Sequence, residues 1–227
     1  MITKEKNLLD LAQLYLPGGS NGNHITMDVI IDRGLGPKVW DINGNEYIDY
    51  SLGSGPMLLG HSHPEVIDAV SSQITKGTTY FGLNKHVIDL AEEIISAVPC
   101  AESVRFANSG SEATFFAMRA ARAFTQKEKI LKFEGGFHGM NDYALMSMMP
   151  DKPQDFPSPT PDCEGIPESI SKNVLIAPYN NSKITKQIIE KNHDEIGGII
   201  VEPIQRVIPP KIEFLKSLRE LATKYKI

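Results

Sequence analysis

The chain has 227 residues, 41% hydrophobic and 22% charged, with 18 Gly and 15 Pro, the balance of a protein that folds around a core and unlike disordered, collagenous or small disulfide-stapled chains. Lys and Arg total 23 against 28 Asp and Glu, a formal net charge of −5, and no basic run offers the phosphate-neutralising patch that nucleic-acid binding needs. The only cysteines, Cys100 and Cys163, stand in no metal-ligand spacing, and no stretch approaches about 18 uninterrupted apolar residues, so a cytoplasmic protein without membrane spans is expected.

In chain order, Leu8, Leu11 or Leu14 and Tyr15 fall at helical spacing, predicting a helix over Lys4 to Tyr15 that stops at Pro17-Gly18-Gly19. Short β-type runs follow at Met27 to Asp32, Lys38 to Asp41 and Glu46 to Tyr50, broken by Gly34-Leu35-Gly36 and by Asn43-Gly44. The Asn-Gly pair is what a type I′ hairpin turn demands, since both central residues need positive φ, so a small antiparallel meander is expected. Gly53-Ser54-Gly55-Pro56 then leads to His61-Ser62-His63-Pro64, with Pro64 suited to the first turn of a helix running to about Lys76.

Beyond Thr78 strands and helices alternate. Helices are predicted over Lys85 to Val98, Ser111 to Thr125, Ser182 to Asn192 and Ile212 to Tyr225. Strands are predicted over Ser103 to Ala107, Lys129 to Glu134, Val174 to Ala177 and Gly198 to Glu202. The pattern points to an α/β fold with a mostly parallel sheet. Six prolines between Pro150 and Pro167 mark a long loop of the kind that is usually functional or mobile.

Three stretches could carry chemistry. Asn108-Ser109-Gly110-Ser111-Glu112 turns a predicted strand into a helix. The unpaired amides and positive dipole end there form an anion cradle, and Gly110 permits close approach; Ser109 and Glu112 also stand at capping-box spacing, which explains them without a ligand. Lys132-Phe133-Glu134-Gly135-Gly136-Phe137-His138-Gly139 places an aromatic ring and an imidazole at a strand's carboxyl end, where open α/β sheets bind ligands; packing is the plainer alternative. Glu202 ends the apolar run Gly197 to Val201, as a solvated strand-end residue or as a site residue. His61 and His63 lack a carboxylate or Cys to complete a ligand set nearby, so no metal site is expected.

Taken together, Pro17-Gly18-Gly19, Asp41 to Tyr50, Gly55-Pro56 with Leu59 to Pro64, Asn108 to Ala113, Lys132 to Gly135 with His138-Gly139, and Val201-Glu202-Pro203 stand in an order that resembles the class-III pyridoxal-phosphate-dependent aminotransferases, most closely the glutamate-1-semialdehyde 2,1-aminomutase-like group. The resemblance implies fold type I, pyridoxal 5′-phosphate (PLP) as cofactor, a homodimer, and small-molecule amino donors and acceptors. It implies that Ser109, Gly110 and Ser111 bind the cofactor phosphate, that Phe137 stacks on the pyridine ring with His138 in the same pocket, and that Glu202 is the strand-end acid beside the site. It further implies an N-terminal segment over 1–64 and part of the large cofactor-binding domain over 65–227.

The sequence departs from the family at three places. The Schiff-base lysine and the aspartate facing the pyridine nitrogen are expected beyond Ile227, so a truncated chain without turnover of its own is expected. Ile25 stands where the aminomutases carry a substrate-carboxylate arginine, and Val207 where the family has a polar residue near the cofactor. An ω-amino acid or other amino acid transaminase of the same class is therefore the nearest alternative. A non-catalytic binding or dimerising module is the alternative of another class, and a nucleotide-binding α/β protein a third.

Overall fold

The computed structural model describes residues 4–21 and 28–227; Ile25, and Met27 at the start of the first expected strand, lie outside the described residues. The chain forms two compact units, Met1–Glu93 and Ile94–Ile227.

In the first unit, helix α1 (Lys4–Tyr15) ends where Leu16 turns extended and Pro17–Gly19 forms a 3-10 turn with Gly18 at φ +66°. Glu5 ties this helix to the meander, accepting hydrogen bonds from Asn43 Nδ2 at 2.6 Å and Ile30 N at 3.4 Å. Strands β1 (Ile31–Leu35), β2 (Lys38–Asp41) and β3 (Glu46–Ile48) pair antiparallel in that order. The meander is as expected, but its details differ. β1 continues through Gly34 and Leu35 instead of breaking there, because Gly34 pairs with Val39 and lies under the His61 ring, where a Cβ would come within 2.5 Å of Cγ. The β2–β3 connection has four residues, and only Gly44, at φ +86°, adopts positive φ, so it is not a type I′ turn.

The Asp41 carboxylate builds that connection. It accepts from Asn43 N at 2.9 Å, from Asn45 N at 2.8 Å and Nδ2 at 2.7 Å, and from Tyr47 OH at 3.1 Å. Burial pushes its pKa up, and these hydrogen bonds outweigh that and leave it below the ordinary value. β3 stops at Ile48 because Asp49 turns the chain, accepting from Ser51 N and Leu52 N and pairing with His61 Nε2 at 2.7 Å. Helices α2 (Pro64–Ile74) and α3 (Lys85–Ala97) follow, with Ile67, Val70, Ile74, Ile88 and Leu90 exposed.

The second unit is built on a parallel sheet ordered β5-β4-β6, from β4 (Lys129–Phe133), β5 (Val174–Ala177) and β6 (Ile196–Ile199). Side chains alternate along β4, so Leu131 and Phe133 pack with Ile188 and Ile189 of α6 (Ser182–Asn192) and Phe214, Leu218 and Leu221 of α7 (Ile212–Tyr225). Phe133 and Phe214 meet edge to face at 5.2 Å, with Tyr179 completing the cluster. Ile130 packs instead with Met118 of α4 (Gly110–Thr125) and with Ala144. The loop rich in proline ends in one turn of helix, α5 (Glu168–Ser171).

Two expectations fail here. Ser103 to Ala107 forms no strand, since a strand exists through its ladder and no described strand lies beside it. β6 begins at Ile196 and ends at Ile199, earlier than the expected Gly198 to Glu202. Its glycines fit the space: a Cβ on Gly197 would come within 2.7 Å of the Lys127 carbonyl oxygen, and one on Gly198 within 3.0 Å of Ala121 Cβ.

Candidate functional site

The start of α4 and the loop after β4 meet. Ser109, in extended conformation, caps the helix by accepting from Glu112 N at 3.2 Å, while the Glu112 carboxylate turns back to Asn108 N at 2.7 Å. The serine half of the capping box is therefore present, while the carboxylate takes the Asn108 amide in place of that of the N-cap Ser109. This arrangement leaves the amides of Gly110 and Ser111 without a partner among the described residues, at the positive end of a 16-residue helix. Both hydroxyls act as acceptors within the fold, Ser109 from Glu112 N and Ser111 from Met140 N at 3.0 Å, so each retains its O–H for a further acceptor. An added Cβ on Gly110 would meet nothing within 4 Å, so the approach to these donors is open.

The Gly-rich loop is fastened to the same turn. Thr114 Oγ1 donates to the His138 carbonyl at 2.6 Å, and Met140 N donates to Ser111. Gly139, at φ +94°, lies so close that a Cβ would stand 2.6 Å from Ser111 Cα. His138 follows with its ring buried and Nε2 lacking a partner. Burial, with the charges of Lys132 and Arg206 adding, pushes its pKa down to about 4, so the imidazole is neutral at pH 7. Phe137 is 40% exposed, with the Arg206 guanidinium 5.2 Å from its ring centroid.

The third stretch closes on the second. Gln205 Nε2 donates to the Glu134 carbonyl at 2.8 Å, and Arg206 Nε lies 3.4 Å from that of Gly135. Glu202 stands three residues past the end of β6, not at the strand's last position, with Oε2 buried and unpartnered. Val207 is exposed, and Lys211, Lys216, Lys224 and Lys226 lie on α7 or flank it.

Sequence reasoning missed Lys132, which is fully buried in β4 with Nζ donating to the carbonyls of Ala144 at 2.5 Å and Met146 at 2.6 Å. Burial pushes its pKa down to about 8, against the opposing charges of Asp162 and Glu202. A lysine inside the apolar run Lys-Ile-Leu-Lys-Phe was the available signal. Thr114 and Gln205 carried none, because their roles come from contacts between segments.

The site thus offers unpartnered amides and free hydroxyl protons, with an aromatic ring and the Arg206 guanidinium beside them. That donor set fits a phosphate attached to a flat ring. Among the described residues no group of His, Cys, Asp and Glu is arranged to hold a metal ion, and no helix is long and apolar enough to cross a membrane.

Comparison with known proteins gives a consistent picture. The family model for aminotransferase class-III matches residues 19–227. The glutamate-1-semialdehyde 2,1-aminomutase of Methanosphaera stadtmanae is 41% identical over 226 residues, covering 97% of this chain and 52% of that protein. Among solved structures, an omega-transaminase from Sphaerobacter thermophilus superposes with a TM-score of 0.95 at 32% identity, covering 99% of this chain and 53% of its own. A transaminase with PLP bound superposes with a TM-score of 0.92 at 26% identity, covering all of this chain and 54% of its own. The chain spans about half the length of the curated relatives it matches.

Proposed function

Because the chain belongs to the class-III aminotransferase family, we propose that it forms the phosphate-holding part of a PLP-dependent enzyme that moves amino groups between small molecules. The observation that carries this reading is the junction of α4 with the Gly-rich loop, where unpartnered amides and free hydroxyl protons adjoin an aromatic ring through the Ser111–Met140 and Thr114–His138 bonds. The division into a segment over 1–64 and a cofactor-binding part over 65–227 belongs to the same proposal, as does a cytoplasmic setting.

When bound, PLP supplies the electron sink that amino-group transfer needs. The chain's own residues bind and orient. Ser109, Gly110 and Ser111 hold the phosphate through hydroxyls and amides aided by the helix dipole. Phe137 supports the ring by stacking, and His138, neutral at working pH, lines the pocket without adding charge. Glu202 keeps a carboxylate at the edge of the site, opposed by Lys132. Among the described residues, Lys132 is committed to two carbonyls and the late lysines lie on or beside α7, so none of these is placed to carry the cofactor at this junction. The 227-residue chain alone therefore has no turnover in this proposal.

The aminomutase relatives support an amino-aldehyde substrate like glutamate-1-semialdehyde. The likeness to the Sphaerobacter omega-transaminase, with Ile25 in place of an arginine, supports the second reading, transfer from an ω-amino acid or another amino acid. The exposed apolar residues of α2 and α3, with Phe81 fully exposed beside them, support a homodimer. Equilibrium titration of the full-length protein with PLP, followed by single-turnover assays with both substrate classes, tests the proposal; a folded protein that takes up no PLP overturns it.

A further inference from the structure

Lys132 stands at a junction that the phosphate-holding residues do not explain. It shares one face of β4 with Ile130, and that face is covered by the loop that leaves β4 at Glu134 and returns through Ala144, Leu145 and Met146. Asp162 N donates to the Leu145 carbonyl, whereas the flanking carbonyls of Ala144 and Met146 point inward and receive only Lys132 Nζ among the described residues. Buried carbonyls need donors, and one ammonium serves both. The loop closes at its ends as well, with Gly135 N donating to the Ser147 carbonyl at 2.8 Å and Ser147 N to that of Thr160 at 2.7 Å.

Three further charged groups bear on this ammonium. Asp162 is committed to the amides of Met148 and Met149 at 2.9–3.0 Å, Glu202 has a buried Oε2 without a partner, and Arg206 opposes it. Lys132 thus ties β4 to the returning loop by hydrogen bonds, and charges of the segment after β6 bear on it. The segment between Lys132 and the carbonyls it holds is the one that carries Phe137 and His138 to the start of α4.

Resting on the function proposed above, we infer that Lys132 is a positioning residue: by holding the Ala144 and Met146 carbonyls it fixes the loop that sets Phe137 and His138 against the phosphate-binding turn. It touches neither cofactor nor substrate and acts through the loop. A purely local packing role would leave the ring-side contacts of the site unchanged when the lysine is replaced.

The experiment compares wild-type, Lys132→Met and Lys132→Gln full-length proteins by amide hydrogen exchange without cofactor, by PLP affinity, and by the circular dichroism of bound PLP. Met removes the donors, and Gln keeps two N–H groups while removing the charge. In the wild type, the amides of Gly135, Leu145 and Ser147 should exchange as slowly as those of β4; free exchange there overturns the clamp even if neither variant folds. Lys132→Met should raise loop exchange and weaken PLP binding by about tenfold or more, with an altered dichroism band, while α6 and α7 stay protected. Lys132→Gln should recover part of both. Unchanged loop exchange in a folded Lys132→Met protein overturns the inference, as do faster exchange with unaltered PLP affinity and dichroism. A wild type with a protected loop that binds no PLP removes the functional reading, and this inference with it, while leaving the clamp itself measured.

Discussion

Ser111 and Met140 are joined by a hydrogen bond in which the Met140 amide donates to the Ser111 hydroxyl oxygen at 3.0 Å. Because the acceptor side of the hydroxyl faces its own protein, its proton remains available, and a loop separated by 29 residues is held at the helix start. The approach is close enough that Gly139 cannot carry a side chain.

The two glycines at this junction should respond differently. Gly139→Ala combines positive φ with a Cβ 2.6 Å from Ser111 Cα, and is expected to cost about 1–3 kcal/mol in urea unfolding and to weaken PLP binding. Gly110→Ala meets nothing within 4 Å, so stability should change by no more than about 0.5 kcal/mol while PLP affinity falls. Unchanged affinity in Gly110→Ala would show that no ligand approaches that turn.

His138 makes acid sensitivity specific. The unfolded chain takes up the proton near the ordinary pKa of 6.5, whereas the folded protein resists it until about 4. Falling pH between these values therefore favours unfolding, and the loss levels off below the folded pKa. Relative to His138→Gln, the wild type should lose about 3 kcal/mol more between pH 6.5 and pH 4 in denaturant titrations. Parallel profiles would show that the imidazole is not held neutral.

Lys132 gives the alkaline counterpart. Its folded pKa of about 8 lies below the ordinary 10.5, so above pH 8 the unfolded chain holds a proton that the folded protein has released. Stability contributed by this group should rise with pH between about 8 and 10.5 and be flat in Lys132→Met. Unfolding titrations at pH 7, 9 and 10 measure it, and a wild-type slope equal to that of the variant contradicts it.

The aromatic cluster should carry much of the second unit's stability. Phe214 is fully buried against Phe133 and Tyr179, and Phe214→Ala is expected to cost about 3–5 kcal/mol. A thermal or urea midpoint near wild type would place the core elsewhere.

These contrasts follow how far the sequence could be read. α1, α6, α7 and β5 have their expected bounds, since local periodicity and capping or turn residues set them, as Asn181 does for α6 by accepting from Ile184 N at 3.1 Å. Ser103 to Ala107 has strand-like residues but no ladder, and Gly197 lies in a strand although glycine disfavours one, because the Lys127 carbonyl leaves no room for a Cβ. Pairing and close approach are properties of two segments, and one segment's residues do not encode them. The same holds at the candidate site: Ser109 to Ser111 were visible as the start of a helix, though no described strand leads into them, and the burial of Lys132, the fastening of Gly139 and the placement of Arg206 over Phe137 were not.

The most direct test compares the affinity of the full-length protein for PLP with that for pyridoxal, which lacks the phosphate, in the wild type and in Ser111→Ala. If the α4 turn holds the phosphate, PLP should bind at least about tenfold more tightly than pyridoxal, and Ser111→Ala should narrow that gap by weakening PLP binding more than pyridoxal binding. Equal affinities for the two compounds, or a gap unchanged in Ser111→Ala, would contradict the assignment.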